Sequence, residues 1–187
     1  MQLSDLLATA TAAAYDKLRE SAFLHEWDDA EKQVLAQKVG IAAVKFGDLQ
    51  NNPARAYVFD LDKFLAFEGK TGTYLLYTVT RINSVLKKAE AAGDICGIYS
   101  DTERDLVLKL LLSGETFRRA LAEKAPSFLC DNAYQLASLF SKFYHDNHVL
   151  GEEDANKKQS WLWLMTLVRR MLLLHLDTLA IDAVENM

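Results

Sequence analysis

Turn-forming residues are scarce: the 187-residue chain holds 8 glycines and 2 prolines. Average usage would make these two types roughly 12% of a chain, more than twice what is present. Sandwiches and barrels turn every few residues, so the shortage excludes them and leaves helices joined by short connections. Half the residues are hydrophobic, enough for a sizeable core and too many for a disordered chain. The formal net charge is −5. A basic nucleic-acid domain shows the opposite sign, so composition alone argues against that class.

The periodicity and caps predict about seven helices. Ser4 and Asp5 cap a first helix to about Ser21, and a break over His25 to Asp29 precedes a second from Asp29 to about Phe46. Gly47 to Tyr57 reads as a connector, with Asn51, Asn52 and Pro53 as its punctuation. Tyr57 to Asp62 reads as an extended entry to a turn of helix over Leu61–Phe67, followed by a loop over Glu68–Thr73. A long helix is expected from Tyr74 to Ala92, then a loop to Ser100. Asp101 or Thr102 caps the next helix, which ends at Leu112, and Ser113 caps a separate one over Gly114–Lys124. Pro126 opens a helix over Ser127–Asp146, and the last runs from Ala155 to Leu179. With almost no strand and no internal repeat, the expected fold is an all-α helical bundle.

No catalytic constellation is visible. The chain lacks the phosphate loop, the dinucleotide fingerprint and the nucleophile elbow. His145 and His148 share a helical spacing, but no third ligand follows and no metal site is expected. His175 lies among leucines and reads as a packed histidine. Cys96 and Cys130 form no Cys-x-x-Cys pair and read as idle thiols in a reducing cytoplasm. The N-terminus has no basic region of a signal peptide. The apolar run Trp161–Leu176 contains Arg169 and Arg170 and falls short of the roughly 20 residues needed to cross a bilayer, so it reads as a core helix. Trp161, Leu164, Met165, Val168, Leu172 and Leu176 have the spacing of its buried stripe. Arg169 and Arg170 are left between solvent and phosphate.

The run of motifs is specific where each alone is weak. It begins with Val44-Lys45-Phe46-Gly47-Asp48-Leu49 and Tyr57-Val58-Phe59-Asp60-Leu61-Asp62. Phe67-Glu68-Gly69-Lys70-Thr71-Gly72-Thr73-Tyr74-Leu75-Leu76-Tyr77 follows, then Arg81, Phe143-Tyr144, Val149-Leu150 and the ending Leu176-Asp177-Thr178-Leu179-Ala180-Ile181-Asp182-Ala183-Val184-Glu185-Asn186-Met187. This set resembles the carboxy-terminal part of arginyl-tRNA synthetase, a class I enzyme, with its DALR-type anticodon-binding domain. Thr73 stands where that family often has Pro, Leu76 where it has Gln, Ala180 where it has Gly and Asn186 where it has Arg. Gln159-Ser160-Trp161-Leu162 replaces the family's Arg-containing run.

The resemblance implies linking helices over residues 1–37 and an α-helical anticodon-binding domain of the class Ia type over 38–187. It implies tRNA-Arg as partner, positioned for ATP-dependent arginylation by a catalytic domain of the same polypeptide. The family's two nucleotide-binding signatures, resembling H-I-G-H and K-M-S-K-S, do not occur here. The chain alone is therefore expected to be inactive. ATP with Mg belongs to the missing catalytic domain, and no cofactor to this part. A cytoplasmic monomer without membrane contact is expected. The family's tRNA contacts carry over to Glu68, Gly69, Lys70, Gly72, Tyr74, Tyr77, Arg81, Tyr144, His148 and Met187. Their chemistry suits the task, since unpaired bases are read by stacking on aromatics and guanidinium groups. Spacings of 3 and 4 put Tyr74, Tyr77 and Arg81 on one helix face, Gly69 and Gly72 permit close backbone approach, and Lys70 offers charge to phosphate, as does Lys142. The rival reading is a helical protein–protein interaction module, which expects an exposed apolar patch instead.

Overall fold

The computed structural model describes residues 2–19, 27–52, 56–89 and 97–187. His25, Pro53, Cys96 and the ends of the loops around them lie outside these residues. Among the described residues there are seven α-helices and no strand. They are α1 (Leu3–Arg19), α2 (Asp29–Leu49), α3 (Leu61–Phe64), α4 (Gly72–Lys88), α5 (Asp101–Glu123), α6 (Ser127–Asp146) and α7 (Ala155–Thr178). A short 3-10 turn, Val149–Gly151, leads into α7. None of these helices is long and apolar enough to cross a membrane.

The all-α expectation holds, and the caps explain most boundaries. Asp28 accepts the Glu31 N–H while Glu31 accepts the Asp28 N–H, a reciprocal pair that starts α2. Asp154 accepts the N–H groups of Asn156 and Lys157 and starts α7. Several boundaries differ from expectation, among them the end of α2, which runs to Leu49 through the first residues of the expected Gly47–Tyr57 connector, and the end of α4, which falls at Lys88 rather than Ala92. The turn expected over Leu61–Phe67 ends at Phe64. The α4 helix begins at Gly72 rather than Tyr74, because Thr71 Oγ1 accepts the Tyr74 N–H at 3.0 Å and makes Thr71 the cap. Thr73 is then in the first turn, where a proline's missing N–H removes no helical bond.

The largest difference is at Ser113. The expected break does not occur: α5 is one helix, capped by Ser100, which accepts the Glu103 N–H. Ser113 is fully buried, with Oγ 2.9 Å from the Lys109 carbonyl and 3.1 Å from Asn132 Oδ1 on α6. Asn132 also donates to Thr116 Oγ1 at 2.9 Å. A hydroxyl that can bond its own helix or a neighbouring one has no need to end the helix.

The core gathers Phe46 of α2, Leu75, Leu76 and Ile82 of α4, Leu106 of α5, Phe140 and Phe143 of α6, and Met165 and Leu172 of α7, all essentially inaccessible. The expected boundary between residues 37 and 38 falls inside α2, a continuous helix packed on both α1 and α4. Gly72 fixes the α2–α4 crossing. A Cβ there would lie 2.4 Å from the Ala42 carbonyl oxygen and 2.8 Å from its carbon, so only hydrogen fits.

Ala180 closes α7 at φ 54°, and the Ile181 N–H reaches back to the Leu176 carbonyl at 2.8 Å. This left-handed closing turn favours glycine, which accounts for the family's usual Gly here. Ala180 is exposed, so Ala180→Gly meets no packing penalty. It is expected to add about 1 kcal/mol and raise the melting temperature by roughly 2–4 °C in a thermal scan. An unchanged or lower midpoint would contradict this reading of the turn.

His175 is buried, as expected of a packed histidine, against Phe117 at 4.7 Å between ring centroids. Its Nδ1 sits 2.7 Å from the Met171 carbonyl and must therefore carry the proton, while Nε2 has no partner. Burial, with a smaller contribution from nearby Lys109, holds its pKa below the ordinary 6.5, and the Met171 bond only partly offsets this. At pH above 6.5 the ring is neutral folded or unfolded and stability is unaffected. Below 6.5 the unfolded chain takes up a proton that the folded one refuses, so stability falls. The urea midpoint is expected to drop between pH 7 and 5, and to drop less in His175→Gln. Equal drops in both proteins would remove His175 as the cause. The Cys130 thiol, also buried, is pushed up to about 12, and such a thiol is unreactive.

Candidate nucleic-acid interface

From Thr71 to Ile82 every residue of the α4 segment is buried except Tyr74, Tyr77 and Arg81. Spacings of 3 and 4 therefore produce the expected shared face. The three side chains do different things. Tyr74 turns its hydroxyl into the seam with α6, 2.9 Å from Ser141 Oγ, and its ring meets Tyr134 at 5.9 Å. Its first role is to dock α6 on α4. Tyr77 sets its ring edge-on to Phe67 at 6.3 Å.

Arg81 links the two motif groups that are far apart in sequence. Its guanidinium lies 4.7 Å from the Tyr77 ring centroid, with Nη2 donating to the Tyr77 hydroxyl at 2.5 Å. The same guanidinium is 5.7 Å from the Tyr144 ring centroid. Tyr144 in turn stacks on Phe140 at 5.9 Å with an interplanar angle of 22°. Two half-buried rings and a cation between them form a surface of π faces and N–H donors. Tyr144, His145, Asn147, His148, Val149 and Leu150 enclose an adjoining cleft of about 290 Å³. The exposed His148 imidazole stands in its wall, beside Gly151.

The loop before α4 is divided in its duties. Glu68 and Gly69 are exposed, and Gly69 sits at φ 80° with open space where a Cβ would be. Gly69 thus leaves its backbone open to solvent. Gly72 does not: it is buried against Ala42 of α2, so its missing side chain serves helix packing rather than RNA approach. Lys70 is paired with Asp131 of α6 at 2.5 Å, so its charge already has a partner. Lys142 is exposed.

Met187 packs half-buried against the core. Its tail is held by Asn83, which donates to the Glu185 carbonyl at 3.1 Å and accepts from Arg169 Nε of α7. Asn83 is two residues beyond Arg81, so it points about 200° around the helix from it. Arg169, half-buried, thus braces α4 and the tail through its Nε. Arg170 lies over the Trp163 ring at 5.5 Å. Sequence reasoning missed both roles, and also Ser84 and Lys88, which continue the accessible stripe of α4. A 3-4-3-4 count from Tyr74 would have found them. Among the described residues no cluster of three or more His, Cys, Asp or Glu side chains is placed to hold a metal ion.

These features define an all-α domain with a local aromatic and cationic surface on an otherwise acidic chain. The chain belongs to the DALR anticodon binding domain family, whose pattern matches residues 75–187. It is 42% identical over 192 residues to the arginine–tRNA ligase of Alkaliphilus oremlandii, and 42% identical over 189 residues to that of Maricaulis maris. In each comparison all of this chain aligns, to 32% of the relative. The chain therefore spans about a third of the length of the ligases it matches. Among solved structures, the Thermus thermophilus arginyl-tRNA synthetase superposes over the whole chain and 32% of its own, with a TM-score of 0.90 and 27% identity. The Plasmodium falciparum arginyl-tRNA synthetase shares the fold at a TM-score of 0.87 and 23% identity, over the whole of this chain and 34% of its own.

Proposed function

We propose that this chain binds the anticodon loop of tRNA-Arg, with Tyr77, Arg81 and Tyr144 as the surface on which unpaired loop bases stack. The observation that carries this reading is the Arg81 guanidinium held between two tyrosine rings. Stacked guanidinium and aromatic planes are the platform that single-stranded RNA recognition uses. His148 lines the neighbouring cleft, and Glu68 and Gly69 present the loop backbone at its approach. Met187 joins as part of the braced tail. Arginylation with ATP and Mg is the work of the rest of a cytoplasmic ligase polypeptide, and this chain positions the tRNA for it.

The rival reading has its own observation. Leu108, Leu111 and Leu112 of α5 are 45%, 74% and 64% exposed, an apolar strip suited to packing against protein. It lies on a different helix from the aromatic cluster, so the two readings are separable. Titrating the chain with a tRNA-Arg anticodon stem–loop and with one of unrelated anticodon tests the proposal. Tighter binding of the first is expected, and equal affinities would remove the anticodon from the account.

The Lys70–Asp131 pair supplies a second test. Asp131→Asn frees the Lys70 ammonium to meet phosphate. An exposed pair of this kind is worth up to about 1 kcal/mol, so stem–loop affinity at low salt is expected to rise by up to about fivefold. A loss of affinity would show that Lys70 needs Asp131 to hold its position.

A further inference from the structure

A second cleft, of about 410 Å³, lies beyond the stacking cluster, where the end of α4 meets the start of α7. Lys88 and Ala89 form one side, Ala155 and Lys158 the other, with Leu150 between. Leu150 also lines the Tyr144–His148 cleft, so the two hollows are neighbours sharing one wall. Lys88 is on the same helical stripe as Tyr77 and Arg81, about 10 Å further along α4 at 1.5 Å per residue.

Among the described residues the charged side chains that line this cleft are Lys88 and Lys158. Lys158 donates one N–H to the Leu150 carbonyl at 2.9 Å, which fixes its ammonium at the shared wall and leaves two donors for a ligand. Among the described residues, two of the nearby carboxylates are engaged elsewhere. Glu152 is paired with Lys157 at 2.8 Å and also accepts the Glu153 and Asp154 N–H groups. Asp154 caps α7. Among the described residues neither Lys88 nor Lys158 is in an ion pair.

We propose that this Lys88–Lys158 cleft binds backbone phosphates of the RNA strand whose bases stack at Tyr77, Arg81 and Tyr144. The proposal rests on the RNA reading above and extends the interface from base stacking to a separate electrostatic site. Phosphate contacts position a strand without reading its sequence, which is the division of labour the two clefts suggest.

The test uses the full chain and a fluorescent anticodon stem–loop of tRNA-Arg, titrated over a series of KCl concentrations. Each phosphate contact contributes roughly 0.7–0.9 to the slope of log K against log salt. Lys88→Gln and Lys158→Gln are each expected to reduce that slope by about this amount, and the double variant by about twice as much. Lys158→Arg keeps the charge and the bond to Leu150, and is expected to retain the slope. Arg118→Gln, on the far helix α5, serves as the control and is expected to change nothing. The losses should be equal for stem–loops of permuted loop sequence. If the double variant keeps the wild-type slope while Tyr144→Ala weakens binding, the phosphate site is overturned and the RNA reading stands. If wild-type chain binds no stem–loop at all, both are overturned. If a polyglutamate chain binds the cleft as tightly as RNA does, the site is a protein-docking surface and the proposal also falls.

Discussion

Gly72→Ala is expected to destabilise the fold by about 3 kcal/mol, the upper part of the range for overpacked interiors, lowering the melting temperature by roughly 6–12 °C. In an exposed helix the same change would be a gain of about 1 kcal/mol, because alanine is the better helix former. The sign reverses here because the added methyl would sit 2.4 Å from the Ala42 carbonyl oxygen. Backbone cannot rotate away as a side chain can, so α4 would have to move off α2. That movement would loosen the helix that carries Tyr77 and Arg81. A calorimetric scan of the variant decides the matter, and a midpoint at or above wild type would show that the α2–α4 crossing tolerates a side chain.

Tyr144→Ala is the corresponding change at the interface. Stacking of a base on an aromatic ring is worth about 1–3 kcal/mol, so stem–loop affinity is expected to fall between roughly fivefold and 150-fold. Arg81 loses one of its two flanking rings in this variant, and Phe140 loses its stacking partner. Tyr144→Phe separates binding from packing, since it keeps both stacks and removes only the hydroxyl. Near wild-type affinity is expected for it. A Tyr144→Phe protein as weak as Tyr144→Ala would shift the role from the ring to the hydroxyl.

Much of the fold was legible because helices leave local marks. The break before Asp29 coincides with the start of α2 and α7 shows its buried stripe at helical spacing, whereas the capping role of Thr71 is visible only in the structure. The Ser113 break was misread because a serine reads the same whether it caps a helix or bonds across to Asn132, and only tertiary contact distinguishes them. The candidate site's members come from the resemblance, and their grouping is visible only in the structure. Nothing local to Arg81 says that Tyr144 will lie beside it, and nothing local to Lys70 says that Asp131 will pair with it. Gly72 was misassigned for the same reason: a glycine needed for helix packing and one needed for ligand approach are the same letter. The net charge of −5 averages the whole surface, whereas the proposed interface is two rings, one guanidinium and a few lysines.

The most direct measurement compares two forms of the tRNA-Arg anticodon stem–loop, one intact and one with abasic nucleotides in the loop, against wild type and Tyr144→Ala. Abasic nucleotides keep every phosphate and remove every stacking face. Wild type is expected to bind the intact form at least about tenfold more tightly, and Tyr144→Ala to lose that preference while binding the abasic form as wild type does. Equal binding of the two forms by wild type, or an equal loss on both in Tyr144→Ala, would contradict the claim that Tyr77, Arg81 and Tyr144 read bases by stacking.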